Sequence, residues 1–180
     1  MKVLIVNGAM ERQENATSNR LSAYLSQIIS EKSVDVQVFN LADSGIPLFD
    51  TEIKGIPESV EKMNEIFREA DLHIWLTPLY HGSMTGAMKN CLDWLECSAG
   101  LPKPYLTGKR IGLICWADGV QALQGINSMD AVAKSLRAWV SPYNVPIKRS
   151  DLFGADDAIS PDYQQRLELM AEVLVTGPDH

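Results

Sequence analysis

The chain has 180 residues, enough for one domain with a large core and no need of disulfides or a structural metal. Apolar residues make up 46%, charged residues 22%, and the net charge of −7 excludes an extended nucleic-acid or anionic-membrane surface. The three cysteines lack C-x-x-C spacing and the three histidines are scattered, so neither a disulfide framework nor a metal site is expected.

Met1 to Val6 is too short for the apolar core of a signal peptide, and no run approaches a membrane span; a cytoplasmic protein is expected. Val3 to Val6 reads as a buried strand, and Gly8 to Thr17 as a polar loop. From Ser18, residues Leu21, Leu25, Ile28 and Ile29 share one helical face. Val34 to Phe39 alternates as a second strand, and residues 40–56 form a long loop. A helix over Glu58 to Ala70 precedes a third strand at Leu72 to Thr77, a loop at Pro78 to Met84, and a helix from Thr85. Ile111 to Ala117 is the fourth strand. A helix is placed after Gly125, running through Ile126, Met129, Val132, Ala133, Leu136 and Val140. A short fifth strand falls at Val145 to Lys148, and Ser160-Pro161 caps a last amphipathic helix.

This alternation predicts an α/β fold with a five-stranded, doubly wound parallel sheet, helices on both faces, in one domain spanning 1–180. Right-handed crossovers send loops 8–17, 78–84 and 117–125 to one sheet edge, where open α/β sheets bind ligands.

Thr17 and Ser18 stand at a helix start. They serve either as ordinary caps or as hydroxyl donors to a phosphate held by free N–H groups and the positive helix end. Other nucleotide chemistries fail: there is no G-x-x-x-x-G-K-[ST] loop, and Gly8 alone does not make a G-x-G-x-x-G fingerprint. A G-x-S-x-G nucleophile elbow is also missing, which removes a serine hydrolase.

The second loop is the specific one. Residues 77–95 read Thr77-Pro78-Leu79-Tyr80-His81-Gly82-Ser83-Met84-Thr85-Gly86-Ala87-Met88-Lys89-Asn90-Cys91-Leu92-Asp93-Trp94-Leu95. This resembles the T-P-x-Y-x-G-S-x-x-G-x-x-K-N-x-x-D-W-L signature of the NADPH-dependent FMN reductase family. Asn40 to Asp43 with Ile46 to Phe49, and Lys103 to Lys109, are similar to further segments of that family.

The resemblance implies a flavodoxin-like fold and hydride transfer from NAD(P)H through bound FMN to a small acceptor such as a quinone. It places Ser18 and Asn19 at the FMN phosphate, beside Thr17 of the same helix start, with Arg12 standing for the family's arginine. Pro78, Leu79, Tyr80, His81, Gly82 and Ser83 line the flavin, joined by Trp116 near the end of the fourth strand and by Asp118 and Gly119 of the third loop. No side chain of the protein is needed as acid, base or nucleophile. The first loop departs from the family's G-S-x-R-x-x-S: it is longer, lacks the first serine, and carries Glu11 and Glu14. Leu79 and His81 replace a common glutamate and asparagine.

A homodimer is implied as well, with Ile46, Leu48 and Phe49 of loop 41–56 as an exposed contact surface. Two rival readings are a flavodoxin-type electron carrier and a non-catalytic binding module that has lost FMN. Elsewhere, Trp75 and Trp139 are read as core, and His73 as a core or strand-edge residue. Trp116 is open between flavin and core, His81 between site and solvent. Cys97 is read as an exposed thiol at a helix end, and Asp93 as structural.

Overall fold

The computed structural model describes residues 1–177; His180, expected at a loose terminus, lies outside them. Six parallel strand segments alternate with helices. They are β1 (Lys2–Asn7), β2 (Asp35–Asn40), β3 (Leu72–Pro78), β4 (Arg110–Ala117), β5 (Trp139–Val140) and β6 (Val145–Lys148). The helices are α1 (Thr17–Ser30), α2 (Glu58–Glu69), α3 (Gly86–Asp93), α4 (Ala122–Ser135), α5 (Arg149–Leu152) and α6 (Pro161–Thr176).

The strand order is β2-β1-β3-β4, with β5 and β6 both pairing β4. The order reverses between β1 and β3, the switch point at which doubly wound sheets place ligands. Every residue of β3 is buried, and all of β1 except Lys2. Helices cover both faces there, which is why these strands read as continuous apolar runs. On one face, Leu21, Leu25 and Ile29 of α1 and Leu167, Met170 and Leu174 of α6 pack on Val3, Ile5 and Ile74. On the other, Met63 and Phe67 of α2, Met88 of α3 and Met129 of α4 pack on Leu4, Val6, Trp75 and Leu113.

The fifth strand position is broken in two. Trp139–Val140 pairs the start of β4 and Val145–Lys148 its end. Between them the Asn144 side chain replaces a strand: its Oδ1 accepts from Leu113 N at 2.8 Å, and its Nδ2 donates to the Ser141 carbonyl at 2.9 Å. Sequence periodicity had carried α4 through Val140. The helix instead stops at Ser135, where Arg137 turns left-handed at φ 65° and Ala138 N reaches back to the Ala133 carbonyl at 3.0 Å. Trp139, expected in the core, is 73% exposed on this edge segment.

Helix α4 also starts earlier than expected, at Ala122, with Gly125 inside it. Glycine lowers helix stability, which made Gly125 read as a boundary from sequence. Here it marks close packing, since a Cβ at Gly125 would overlap the Sγ of buried Cys115. His73 is fully buried, with Nε2 2.8 Å from the Phe67 carbonyl. Desolvation pushes its pKa down to about 3, so the ring is neutral and Nε2–H donates. Cys97 is half-buried rather than exposed.

Candidate functional site

The first loop leaves Asn7 at the tip of β1 and enters α1 at Thr17. Ala16 is the N-cap residue, and no side chain bonds the free amides of that end. The amides of Thr17, Ser18 and Asn19 therefore lack intrahelical acceptors. The hydroxyl of Ser18 is fully buried and has no hydrogen-bond partner among the described residues. An unpaired buried hydroxyl costs about 1–3 kcal/mol, so it is a group in want of an acceptor.

Asn19 has a bracing role. Its Nδ2 donates to the Gln13 carbonyl at 2.8 Å, and its Oδ1 accepts from Asn7 Nδ2 at 3.3 Å. Asn7 also donates to Asn40 Oδ1 at 3.1 Å and accepts from Ala9 N at 3.1 Å, tying β1, β2 and the loop together. The Arg12 guanidinium is engaged away from the helix start, on the Asp43 carboxylate at 3.3 Å and on the Ala42 carbonyl. Glu11 and Glu14 are exposed, which keeps their charge in water.

The second loop is built from its backbone outward. Leu79 N donates to the Trp116 carbonyl at 2.8 Å, fastening the loop to β4. Tyr80 and Ser83 exchange hydrogen bonds of 3.0 and 3.1 Å around His81 (φ 50°) and Gly82 (φ 83°). Two successive positive φ angles make this the mirror-image hairpin turn, in which glycine is unstrained and histidine tolerated. The turn thrusts Tyr80 outward at 58% exposure, with His81 exposed beside it. Thr85 then caps α3, accepting from Met88 N at 3.0 Å.

The rest of the 77–95 signature is structural. Asn90 Nδ2 and Trp94 Nε1 both donate to the Pro47 carbonyl at 2.8 Å, and Asn90 Oδ1 accepts from Phe49 N at 2.7 Å. Phe49 packs edge-on against Trp94, with centroids 5.1 Å apart. This clamp folds Ile46 and Phe49 against the core, so the contact surface expected on loop 41–56 shrinks: Leu48 is 82% exposed and those two are half-buried. Lys89 and Asp93 form an i,i+4 pair at 2.6 Å on the helix surface.

The third loop shortens to residues 118–121 because α4 starts early. Trp116 is 3% exposed and packs in the α1/α6-side core, while also walling the site. Gly119 is half-buried in the loop, next to exposed Asp118. Asp118 pairs with Arg149 Nε at 2.9 Å. A pocket of about 80 Å³ joins Glu11 of the first loop, Pro78, Leu79 and Tyr80 of the second, and Trp116, Ala117 and Asp118 of the third with Arg149. Loops far apart in sequence thus converge on one spot. That volume is below the roughly 300 Å³ of a typical cofactor pocket, so a large flat ligand must lie along the open sheet edge. Arg149 was missed from sequence. The available signal was a cation directly after β6, at the same end as the other loops.

Comparisons with known proteins bear on the family and the fold. An FMN-dependent NADPH-azoreductase from Staphylococcus aureus (strain USA300) is 26% identical over 187 residues, covering 98% of this chain and 94% of that protein. The flavoenzyme NAD(P)H:(acceptor) oxidoreductase FerB from Paracoccus denitrificans superposes with a TM-score of 0.76 at 16% identity, over 97% of this chain and 94% of its own. Oxidised flavodoxin 1 from Bacillus cereus gives 0.66 at 12% identity, over 99% of each chain. The structural matches share the flavodoxin-like fold across carriers and enzymes alike, so they do not choose between the two. The sequence does: residues 1–151 match the model of the NADPH-dependent FMN reductases, and the chain belongs to that family.

Proposed function

We propose that the edge formed by loops 8–17, 78–84 and 118–121 holds FMN, and that the chain works as an NAD(P)H-dependent FMN-containing reductase of small acceptors. The observation that carries the placement is the Ser18 hydroxyl, buried and unpartnered at a helix start whose amides are free. A phosphate accepts from hydroxyls and amides alike and carries the charge that a helix N-terminus favours. The residues present therefore fit the cofactor.

In this reading Thr17, Ser18 and the first amides of α1 hold the phosphate. Asn19 keeps the loop in shape, and Arg12, held by Asp43, offers its charge at the loop's outer side. The backbone of residues 79–83, with Gly119, faces the ring's polar rim. Tyr80, outward on its turn, supplies a flat apolar surface beside it. Trp116 and Pro78 form the floor, and the Asp118–Arg149 pair sets the polarity of the entrance. The chemistry supplied by bound FMN is two-electron transfer from NAD(P)H to a small acceptor such as a quinone.

The chain further acts as a single-domain homodimer in the cytoplasm. Support comes from the exposed Leu48 on loop 41–56, from the exposed Tyr80 at the site and from three unbridged thiols. No described helix is long and apolar enough to cross a membrane.

Anaerobic mixing of FMN-loaded protein with NAD(P)H bleaches the flavin absorbance near roughly 450 nm, and benzoquinone restores it. Donor and acceptor use one flat surface in turn, so steady-state kinetics are ping-pong. Bleaching by dithionite but by neither nicotinamide would transfer the protein to the carrier class. Sedimentation at micromolar concentration reads the oligomeric state.

A further inference from the structure

A second pocket, of about 320 Å³, opens at the opposite edge of the sheet, lined by Arg68, Asp71, Lys103, Tyr105 and Lys109 among others. Asp71 and Lys109 immediately precede β3 and β4, whereas the flavin loops follow those strands. The strands are parallel and seven or eight residues long, so the two sites stand about 20 Å apart.

The pocket is cationic in a protein whose net charge is −7. Its one carboxylate is already engaged, since Asp71 Oδ2 accepts from Lys2 N at 2.9 Å and lies 4.0 Å from the terminal ammonium of Met1. Among the described residues, none of Arg68, Lys103 and Lys109 has a carboxylate within 4.0 Å. Arg68 Nη2 instead donates to the Lys103 carbonyl at 3.3 Å. Lys109 is partly buried. Burial, with Lys103 and Arg68 as like-charged neighbours, draws its ammonium below the ordinary lysine value, and Asp71 opposes the change.

Three cations share the pocket with a single carboxylate, and the backbone of the loop that carries the two lysines is fixed. Tyr105 N donates to Ser98 Oγ at 2.7 Å, Leu106 N to the Leu136 carbonyl at 3.1 Å, and Gly108 N to the Arg137 carbonyl at 3.2 Å. Gly108, directly before Lys109, takes a positive φ of 79°. The two lysines rise from a pinned loop, and Arg68 on α2 reaches the same loop at the Lys103 carbonyl.

We propose that this pocket is a second anion site, which binds a phosphate dianion, either free or as the head of a small monoester. Arg68 supplies a planar fork for two oxygens and the lysines supply point charges, the donor set that suits a tetrahedral dianion. Tyr105 forms the apolar wall, its hydroxyl donating to Glu96 at 3.2 Å and its ring under the Arg137 guanidinium at 5.3 Å.

The test is calorimetric titration of FMN-saturated protein with inorganic phosphate and, separately, with glycerol 1-phosphate. FMN occupies the other phosphate site, and Ser18→Ala serves as its control. Saturable binding of one equivalent is expected, unchanged in Ser18→Ala, weakened about tenfold in Lys103→Ala and further in Lys103→Ala/Arg68→Gln. Preference for the monoester identifies an organic phosphate, and preference for the free ion identifies inorganic phosphate. Lys103 is exposed, so its variant folds whatever happens at Lys109. Absence of saturable heat at millimolar ligand, or equal affinity in the lysine and arginine variants, overturns the proposal.

Discussion

The Thr85 hydroxyl donates to the Gly8 carbonyl at 2.6 Å, joining the second site loop to the first across 77 positions of sequence. The same oxygen accepts from Met88 N, and Thr85 N donates to Thr77 Oγ1 at 3.3 Å. The contact is close because Gly8 has no side chain: a Cβ there would lie 2.5 Å from Met88 Sδ. One threonine thus starts α3 and fixes where the first loop leaves the sheet.

Replacing Thr85 by valine keeps the shape and removes both bonds. The Gly8 carbonyl and Met88 N–H are then unpaired, at about 1–3 kcal/mol for each buried group. Urea unfolding is expected to show that loss, together with weaker FMN binding. Thr85→Ser, which restores the oxygen, should recover most of both.

Ser18→Ala separates a phosphate ligand from a helix cap. Ser18 makes no cap bond, so the variant should keep or slightly raise stability while weakening FMN about tenfold or more, the worth of one charge-assisted hydrogen bond. Riboflavin, which lacks the phosphate, should bind equally to both proteins. Parallel loss of both ligands in fluorescence titrations would count against the assignment.

Gly125→Ala forces a methyl group onto Cys115 Sγ, where α4 lies hard against β4. Overpacking of this kind costs about 1–3 kcal/mol. Cys115→Ala in the same chain opens the space, so a double-mutant cycle should show strong favourable coupling. Additive losses would mean that the helix moves away instead.

His73 makes stability depend on pH. Its folded pKa, about 3, lies below the unfolded value of 6.5. The unfolded chain therefore binds the extra proton first as pH falls. The contribution is complete above pH 6.5 and is lost progressively between there and about pH 3. Moving from pH 7 to 4.5 should remove about 2–3 kcal/mol through this residue. The comparison is with His73→Gln, whose stability curve over that range should be flatter by the same amount.

Much of the fold was legible because its signals are local. Continuous apolar runs mark strands buried on both faces, and the 3.6-residue period marks helices that cover them. Those signals located α1, α2, α3, α6 and strands β1 to β4 to within a residue or two. They failed where a distant partner decides local structure. Gly125 looks like a helix boundary until Cys115 is placed beneath it. Val140 continues a helical period until the left-handed Arg137 breaks it, and Trp139 looks like core until its strand proves to be a two-residue edge.

The site divides in the same way. By itself the sequence determined which residue types the proposed chemistry can draw on, because Pro78 to Ser83 and the Thr17-Ser18 step carry them wherever the fold puts them. Tertiary structure alone decided how those residues are used. Asn90 and Trp94, inside the signature, turned out to clamp Pro47. Arg12 turned to Asp43, Asn19 to Asn7 and Gln13, and Arg149 came in from β6 to meet Asp118. Hydrogen bonds and ion pairs are made to whatever lies nearest in space. Spacing along the chain records that only within a helix turn or a hairpin, and these partners are 6 to 47 positions apart.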